Sequence, residues 1–326
     1  MRTTVFGAEG VRVVDSPDWE ALLASDQHIV WVDMDGPDEA DTHVMRDVFH
    51  FHPLAIEDTT NHRQRAKIEE YDSHLFLILN PMALIPDEDF PEMQTVEVRE
   101  MDVFVGPNYL VTVHQASEPA IARAQQRAAS STNRLPMSSG FLLYTLMDIV
   151  VDDYFPILEA LGDQIEEVED LVLHAPREQV LKHLMTLKRT LRHMWQIIWP
   201  QQSVLNHLLH EDDAFLHMPA LTYYFRDIYD HAMRIAEMLN TFRDTLTSVT
   251  DLYMSAVSNR LNRVVNRLTV FTLTIGILTV ISGFYGMNFE ETWPAFADPN
   301  GVPFVVGLMV ALVAGVLVML RRLGWY

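Results

Sequence analysis

Leu268–Tyr285 reads LTVFTLTIGILTVISGFY without a charged residue, and Gly286, Met287 and Asn288 extend the uncharged run. Val302–Leu320, VPFVVGLMVALVAGVLVML, is a second such run close behind it. A helix of about 20 apolar residues crosses the ~30 Å hydrocarbon layer of a bilayer. Soluble helices of that length carry charge on one face. The two runs therefore predict transmembrane helices at about 268–288 and 302–320. Arg260, Arg263 and Arg267 precede the first, and Arg321 and Arg322 follow the second. The link at 289–301 holds Glu290, Glu291 and Asp298 and no Lys or Arg. The excess of cations on one side places both termini in the cytoplasm and the link outside. MRTTVFGAEG at the N-terminus has no apolar segment of signal-peptide type, so no cleavable leader is expected.

Upstream of the first span, no proline occurs between Pro219 and Asn288, and no glycine before Gly276. Ile228, Ile235, Phe242, Val249 and Ala256 recur every seventh residue, with Ala232, Leu239, Leu246 and Tyr253 four after each of the first four. That is an apolar seam on one helix face. It predicts one continuous helix over 219–288, a stalk running into the membrane. The first 116 residues read as a cytoplasmic α/β domain. Ile29–Asp33, His74–Leu79, Thr95–Val98, Met101–Val105 and Tyr109–His114 are strand-like, and Gly106-Pro107-Asn108 is a hairpin turn. Asp38–His50 reads as a helix with Asp38 or Asp41 as its N-cap. Residues 117–218 read as helical, with one helix over Phe141–Leu173 and another over Glu178–Leu209 that Pro200 kinks or breaks. A tail, 321–326, closes the chain.

Composition excludes several functions. There is no cysteine, so no disulfide framework and no thiolate metal site. A net charge of −22 opposes general nucleic-acid binding. No GxxxxGK[ST], HExxH or GxSxG motif occurs, so an enzyme is not expected. Asp152-Asp153 and Glu166-Glu167 read as solvated helix faces. His50, His52, His207 and His210 read as structural, because neither pair has a third ligand in view.

Within the first span Thr269, Thr272, Gly276, Thr279, Gly283 and Gly286 are spaced by three and four, with Asn262 seven before Thr269. They share one face, opposite Phe271, Ile275, Leu278 and Ile281. In lipid, small residues permit close helix packing, and polar groups need a partner or water. The stripe is either a packing face or a pore lining. Two spans per chain cannot enclose a pore, so the second reading requires an oligomer, with the apolar second span outside.

Tyr285-Gly286-Met287-Asn288 followed by Phe289-Glu290, between two terminal spans, resembles the signature of the CorA family of magnesium and cobalt channels. YFRDIYDH at Tyr224–His231, SNRLN at Ser258–Asn262 and HPLAIED at His52–Asp58 are also similar to that family. The resemblance covers essentially the whole chain. It implies a funnel-shaped homopentamer in the cell (inner) membrane that takes up Mg²⁺, with Co²⁺ or Ni²⁺ as other cargo and no organic cofactor. Asn288 would form the outer selective ring, held by Gly286 and Met287. Asn262 would form an inner polar ring, and Thr279 a site inside the pore. Val265 and Leu268 would form the gate, with Thr269, Thr272, Gly276 and Gly283 along the lining. Some family members carry Met at the positions of Val265 and Gly276, so an apolar constriction that is shorter, or set nearer the cytoplasmic end, is expected here. Glu290 and Glu291 would concentrate cations at the mouth. The resemblance further implies a regulatory Mg²⁺ site between subunits, with Asp227 on one side and Asp87, Glu88 and Asp89 on the other. The rival readings are a zinc transporter of the same superfamily and a membrane-tethered sensor or scaffold that conducts nothing.

Overall fold

The computed structural model describes every residue except 8–9, 26, 62–63, 131–136, 175–176, 211–218, 288–292, 295–298 and 326. It forms two compact units, Met1–Leu171 with Arg177–Ser248, and Val172–Pro176 with Val249–Tyr326.

The first unit opens with β1 (Arg2–Gly7), β2 (Gly10–Val14), α1 (Trp19–Leu23), β3 (His28–Asp35), α2 (Glu39–Asp47) and α3 (Pro53–Asp58). Then follow β4 (Lys67–Tyr71), β5 (His74–Leu79), β6 (Met82–Pro86), β7 (Gln94–Val98), β8 (Met101–Val105) and β9 (Tyr109–His114). Seven strands make one sheet in the order β2-β1-β3-β9-β8-β5-β4, while β6 and β7 pair as a separate ribbon. Every pairing is antiparallel except β3 with β9. The central strands β5, β8 and β9 are buried at every position, as strands covered on both faces must be. On one face Phe76, Ile78, Phe104 and Val111 pack with Leu22, Met45, Phe49, Phe51 and Ile56 of the α1–α3 side.

Local chemistry sets these elements. Asp38 caps α2 and Asp41 returns the bond to the Asp38 N–H, a reciprocal capping box that satisfies two otherwise orphaned donors. At the β8–β9 turn the Asn108 amide donates to the carbonyls of Leu22, Leu23 and Ser25, tying the end of α1 to the sheet. The helices that follow are α4 (Pro119–Ser130), α5 (Ser139–Asp152), α6 (Tyr154–His174), α7 (Glu178–His210), α8 (Pro219–Tyr285) and α9 (Gly301–Arg322). The fully buried Tyr154 of α6 ties the end of β5 to α7, with its hydroxyl 2.7 Å from the Asn80 carbonyl and 2.9 Å from Gln201 Oε1.

Three local expectations change. The helix expected over Phe141–Leu173 is two, separated at Asp153, whose backbone is still helical (φ −63°, ψ −16°) and whose carboxylate binds Arg123. Pro200 lies inside an unbroken α7; the helix continues because a proline removes only one ladder bond and the residues around it stay packed. The helix that enters the first span ends at Tyr285, not at Asn288. The heptad seam is as expected: Ile228, Ala232, Ile235, Leu239, Leu246, Val249 and Tyr253 are buried and Phe242 is half-buried.

Asp102 on β8 is only 3% exposed, and its Oδ1 has no hydrogen-bond partner among the described residues. Burial pushes its carboxyl up to about 8, with Glu100 and Asp58 adding to the rise and Lys67 opposing it. The fold therefore holds this acid protonated across a range in which the unfolded chain would release the proton. The associated stability is complete below the unfolded value near 4 and is lost as pH rises through about 8. Asp102→Asn mimics the neutral form. It is expected to stabilise the protein by about 2–5 kcal/mol at pH 9 and by much less at pH 5. Melting temperatures of parent and variant at both pH values check this, and an equal gap at the two would refute it.

Candidate functional site

The second unit carries the polar stripe. Asn262, Val265, Leu268, Thr272, Gly276, Thr279, Gly283, Gly286 and Met287 are exposed, and Thr269 is half-buried. The half-buried residues of the same helix stretch are Asn266, Val270, Thr274, Ile277, Ile281 and Tyr285. At 100° per residue these two sets centre on opposite sides of α8. In α9 the covered residues, Gly301, Val305, Met309, Val313, Val316, Leu317 and Leu320, also fall in one stripe. The outer ends of these two covered stripes meet at a cavity of ≈ 80 Å³ lined by Tyr285 of α8 and by Gly301, Val302 and Val305 of α9. The polar stripe of α8 is thus turned away from α9. Of the residues expected opposite it, only Ile281 is covered; Phe271, Ile275 and Leu278 are exposed on the flank.

The hydroxyls of Thr269, Thr272 and Thr274 donate to the carbonyls four residues earlier, at Val265, Leu268 and Val270. This local bond hides a hydroxyl from an apolar environment. Thr279 makes no such bond among the described residues, so its hydroxyl is available to water or an ion. At the end of the span the Gly286 N–H donates to the Ser282 carbonyl at 2.9 Å, and the Met287 N–H to Phe284 at 3.3 Å. A Cβ on Gly286 would lie 3.1 Å from the Ser282 oxygen, so the tight close of the helix favours glycine. The Tyr285 hydroxyl donates to the Trp293 carbonyl at 2.9 Å. Asn288, Glu290, Glu291 and Asp298 lie outside the described residues.

In the first unit the expected sensor acids separate into two kinds. Asp87 is 2% exposed. It accepts from the N–H groups of Asp89 and Phe90 and from Arg189 at 2.9 Å. Its carboxylate holds the β6–β7 loop together. Glu88 and Asp89 are exposed, as is Asp227 on α8. None of these three has a cation within ion-pair distance among the described residues.

Asp148, Asp152 and His231 form a cluster not expected from the sequence: one ligand atom from each lies within 4.8 Å of the others. Asp148 and Asp152 sit one turn apart on α5, and His231 lies one turn after Asp227 on α8. Burial raises the carboxyl of Asp148, with Arg127, at 2.6 Å, opposing the rise. His231 Nδ1 is 3.2 Å from Asp152. Two carboxylates and an imidazole are a donor set for a divalent cation. The pair Asp152-Asp153 is therefore not one solvated face, because Asp153 turns to Arg123 and Asp152 to His231. The available signal was the four-residue spacing of Asp148 and Asp152, but only the fold brings His231 beside them.

A family model described as "CorA-like Mg2+ transporter protein" matches residues 26–322. The chain is 30% identical over 325 residues to the cobalt/magnesium transport protein CorA of Thermotoga maritima, covering 98% of this chain and 90% of that one. The complete structure of the CorA magnesium transporter from Methanocaldococcus jannaschii superposes with a TM-score of 0.83 at 23% identity, covering 100% of this chain and 99% of that one. Full-length CmaX superposes at 0.79 with 18% identity, covering 98% and 97%. These two likenesses establish the shared fold.

Proposed function

The chain belongs to the family of CorA-like Mg²⁺ transporter proteins, and from that premise we propose that it is a homopentameric divalent-cation channel that admits Mg²⁺, and also Co²⁺, into the cytoplasm. The observation that carries this reading is the polar stripe of α8 turned away from α9. A chain with two helices long and apolar enough to cross a membrane has no use for such a face toward lipid. Several copies around an axis give it water.

Both termini are cytoplasmic in this reading. A divalent ion gains about 2 × 2.3 kcal/mol per 100 mV of inside-negative potential, so inward flux needs no chemical coupling. Mg²⁺ sheds its waters reluctantly. An Asn288 amide ring at the outer mouth would accept hydrogen bonds from those waters without stripping them, and Glu290 and Glu291 would raise the local cation concentration. Thr279 would receive the hydrated ion in mid-span, and Asn262 at the inner end. Val265 and Leu268 form an apolar gate that closes by excluding water. Internal Mg²⁺ would bridge Asp227 of one subunit to Glu88 and Asp89 of the next; its departure leaves like charges facing each other and opens the ring. Asp148, Asp152 and His231 supply a second place for the regulatory ion. Asp87 contributes indirectly, by fixing the loop that presents Glu88 and Asp89.

The test is Mg²⁺ influx into proteoliposomes under an inside-negative potential, with Asn288→Ala beside the parent. Parent flux that collapses at least about tenfold in the variant is expected. Zn²⁺ flux driven by a proton gradient with no Mg²⁺ flux would replace this reading by a zinc transporter. No divalent flux from an intact oligomer would leave a sensor or scaffold.

A further inference from the structure

The chain carries 45 acidic residues against 23 Lys and Arg. Against that excess, a cavity of ≈ 590 Å³ between α7 and α8 is lined by Lys188, Arg192 and Arg243 with Trp195, Asn240 and Thr247, and no acid among the described residues lines it. Lys188 and Arg192 are one turn apart on α7, so they share a face. Neither has a carboxylate within ion-pair distance among the described residues. Arg243 comes from the facing helix α8, and among the described residues its one ion pair is with its exposed neighbour Asp244. Trp195 offers a second signal. Its Nε1 is buried and finds no acceptor among the described residues. A buried donor left unpaired is costly, and structures rarely leave one without purpose.

Three cations gathered from two helices repel one another unless an anion sits between them. Metal ions are excluded by the same charges. The cavity is also amphipathic: Leu191 and Leu246 complete its wall beside the indole. Its volume falls within the usual range for small-molecule sites. Guanidinium and ammonium groups are the common ligands of phosphate, and an indole suits a flat heteroaromatic ring.

We propose that this α7–α8 cavity binds a nucleoside di- or triphosphate. Lys188, Arg192 and Arg243 hold the phosphates, Trp195 flanks the base, and Asn240 and Thr247 supply neutral polar contacts. A bound phosphate chain would tie α7 to α8, the helix that also carries Asp227.

Titration calorimetry of the full-length protein in detergent tests this. It is done in EDTA, so that Mg²⁺ cannot bridge phosphate to the acidic surface. ATP and ADP are expected to bind once per chain and to weaken with salt. Lys188→Gln and Arg192→Gln are each expected to weaken binding about tenfold or more, the size of one lost charge-assisted bond. Arg243→Gln gives the same reading from the other helix, and Arg46→Gln, far from the cavity in sequence and paired with Asp47, should change nothing. Melting temperatures confirm that each variant is folded. Absence of nucleotide binding, or binding indifferent to all three substitutions, overturns the proposal. Inorganic triphosphate binding as tightly as ATP overturns the nucleotide assignment. Dissociation of the oligomer by Arg192→Gln, with no nucleotide bound by the parent, assigns the cations to a contact between subunits instead.

Discussion

Leucine at Gly283 is expected to lower Mg²⁺ flux about 100-fold or more while the chain stays folded and oligomeric. A Cβ placed on Gly283 or on Gly276 meets nothing within 4 Å, so the larger side chain finds open space within the subunit. Leucine is also the better helix former, by somewhat less than the roughly 0.8–1 kcal/mol that separates glycine from alanine, so α8 itself gains. The penalty arises only where copies of the stripe face one another across a water-filled axis. There a ring of isobutyl groups narrows the path and dewets it. A 100-fold fall requires only about 2.7 kcal/mol of added barrier. Val310→Leu, on an exposed position of α9, adds bulk toward lipid and should conduct like the parent. Dye-reported influx into proteoliposomes, with the oligomer's mass measured in the same preparation, separates the cases. Parent-like flux through Gly283→Leu would return the stripe to a packing face, and so would loss of the oligomer.

The stripe was legible in the sequence because membrane helices write their constraints plainly. A threonine or glycine among Leu, Ile and Val stands out, and the spacing of three and four fixes the face. The seam of α8 was legible for the same reason: Ile228, Ile235 and Val249 are buried where the seven-residue recurrence puts them. Strands β3, β5, β8 and β9 showed as compact apolar runs because both their faces are covered. Strands at the margins did not. β2 is exposed at all but its last position, and β4 mixes Lys67, Glu69 and Glu70 into a half-buried edge. An edge strand is specified by its neighbour's hydrogen bonds, not by its own pattern. Partnerships across long sequence distance were equally hidden. Asp87, Glu88 and Asp89 look alike in a row, yet the first carboxylate is anchored by Arg189 and the other two have no cation partner among the described residues. Asp152 and His231 meet only because α5 and α8 run side by side at that point.

Gly106→Ala is expected to be the most damaging single methyl in the α/β unit. The added Cβ would lie 2.2, 2.3 and 2.7 Å from three carbons of the Tyr109 ring. No backbone strain is involved; glycine is required here because an aromatic ring lies directly over it. The ring cannot move aside at small cost. Tyr109 is 7% exposed and packs edge-on to Phe49 at 4.9 Å, and Phe49 stacks in turn on Phe51. Its backbone is held as well. Tyr109 pairs with Val30, Gly106 N–H donates to the Tyr109 carbonyl at 3.0 Å, and Val30 N–H donates to Asn108 at 2.9 Å. The turn must therefore open or the aromatic cluster must be pushed apart, and overpacking of this kind costs about 3 kcal/mol or more. In a unit of this size that corresponds to a fall in melting temperature of roughly 6–12 °C. The cause is tested by adding Tyr109→Leu. The smaller side chain is itself destabilising, but it removes the clash, so Gly106→Ala should cost much less in its presence. Strong coupling between the two is the signature of direct contact. Simple additivity would mean that Gly106 matters for some reason other than the ring above it.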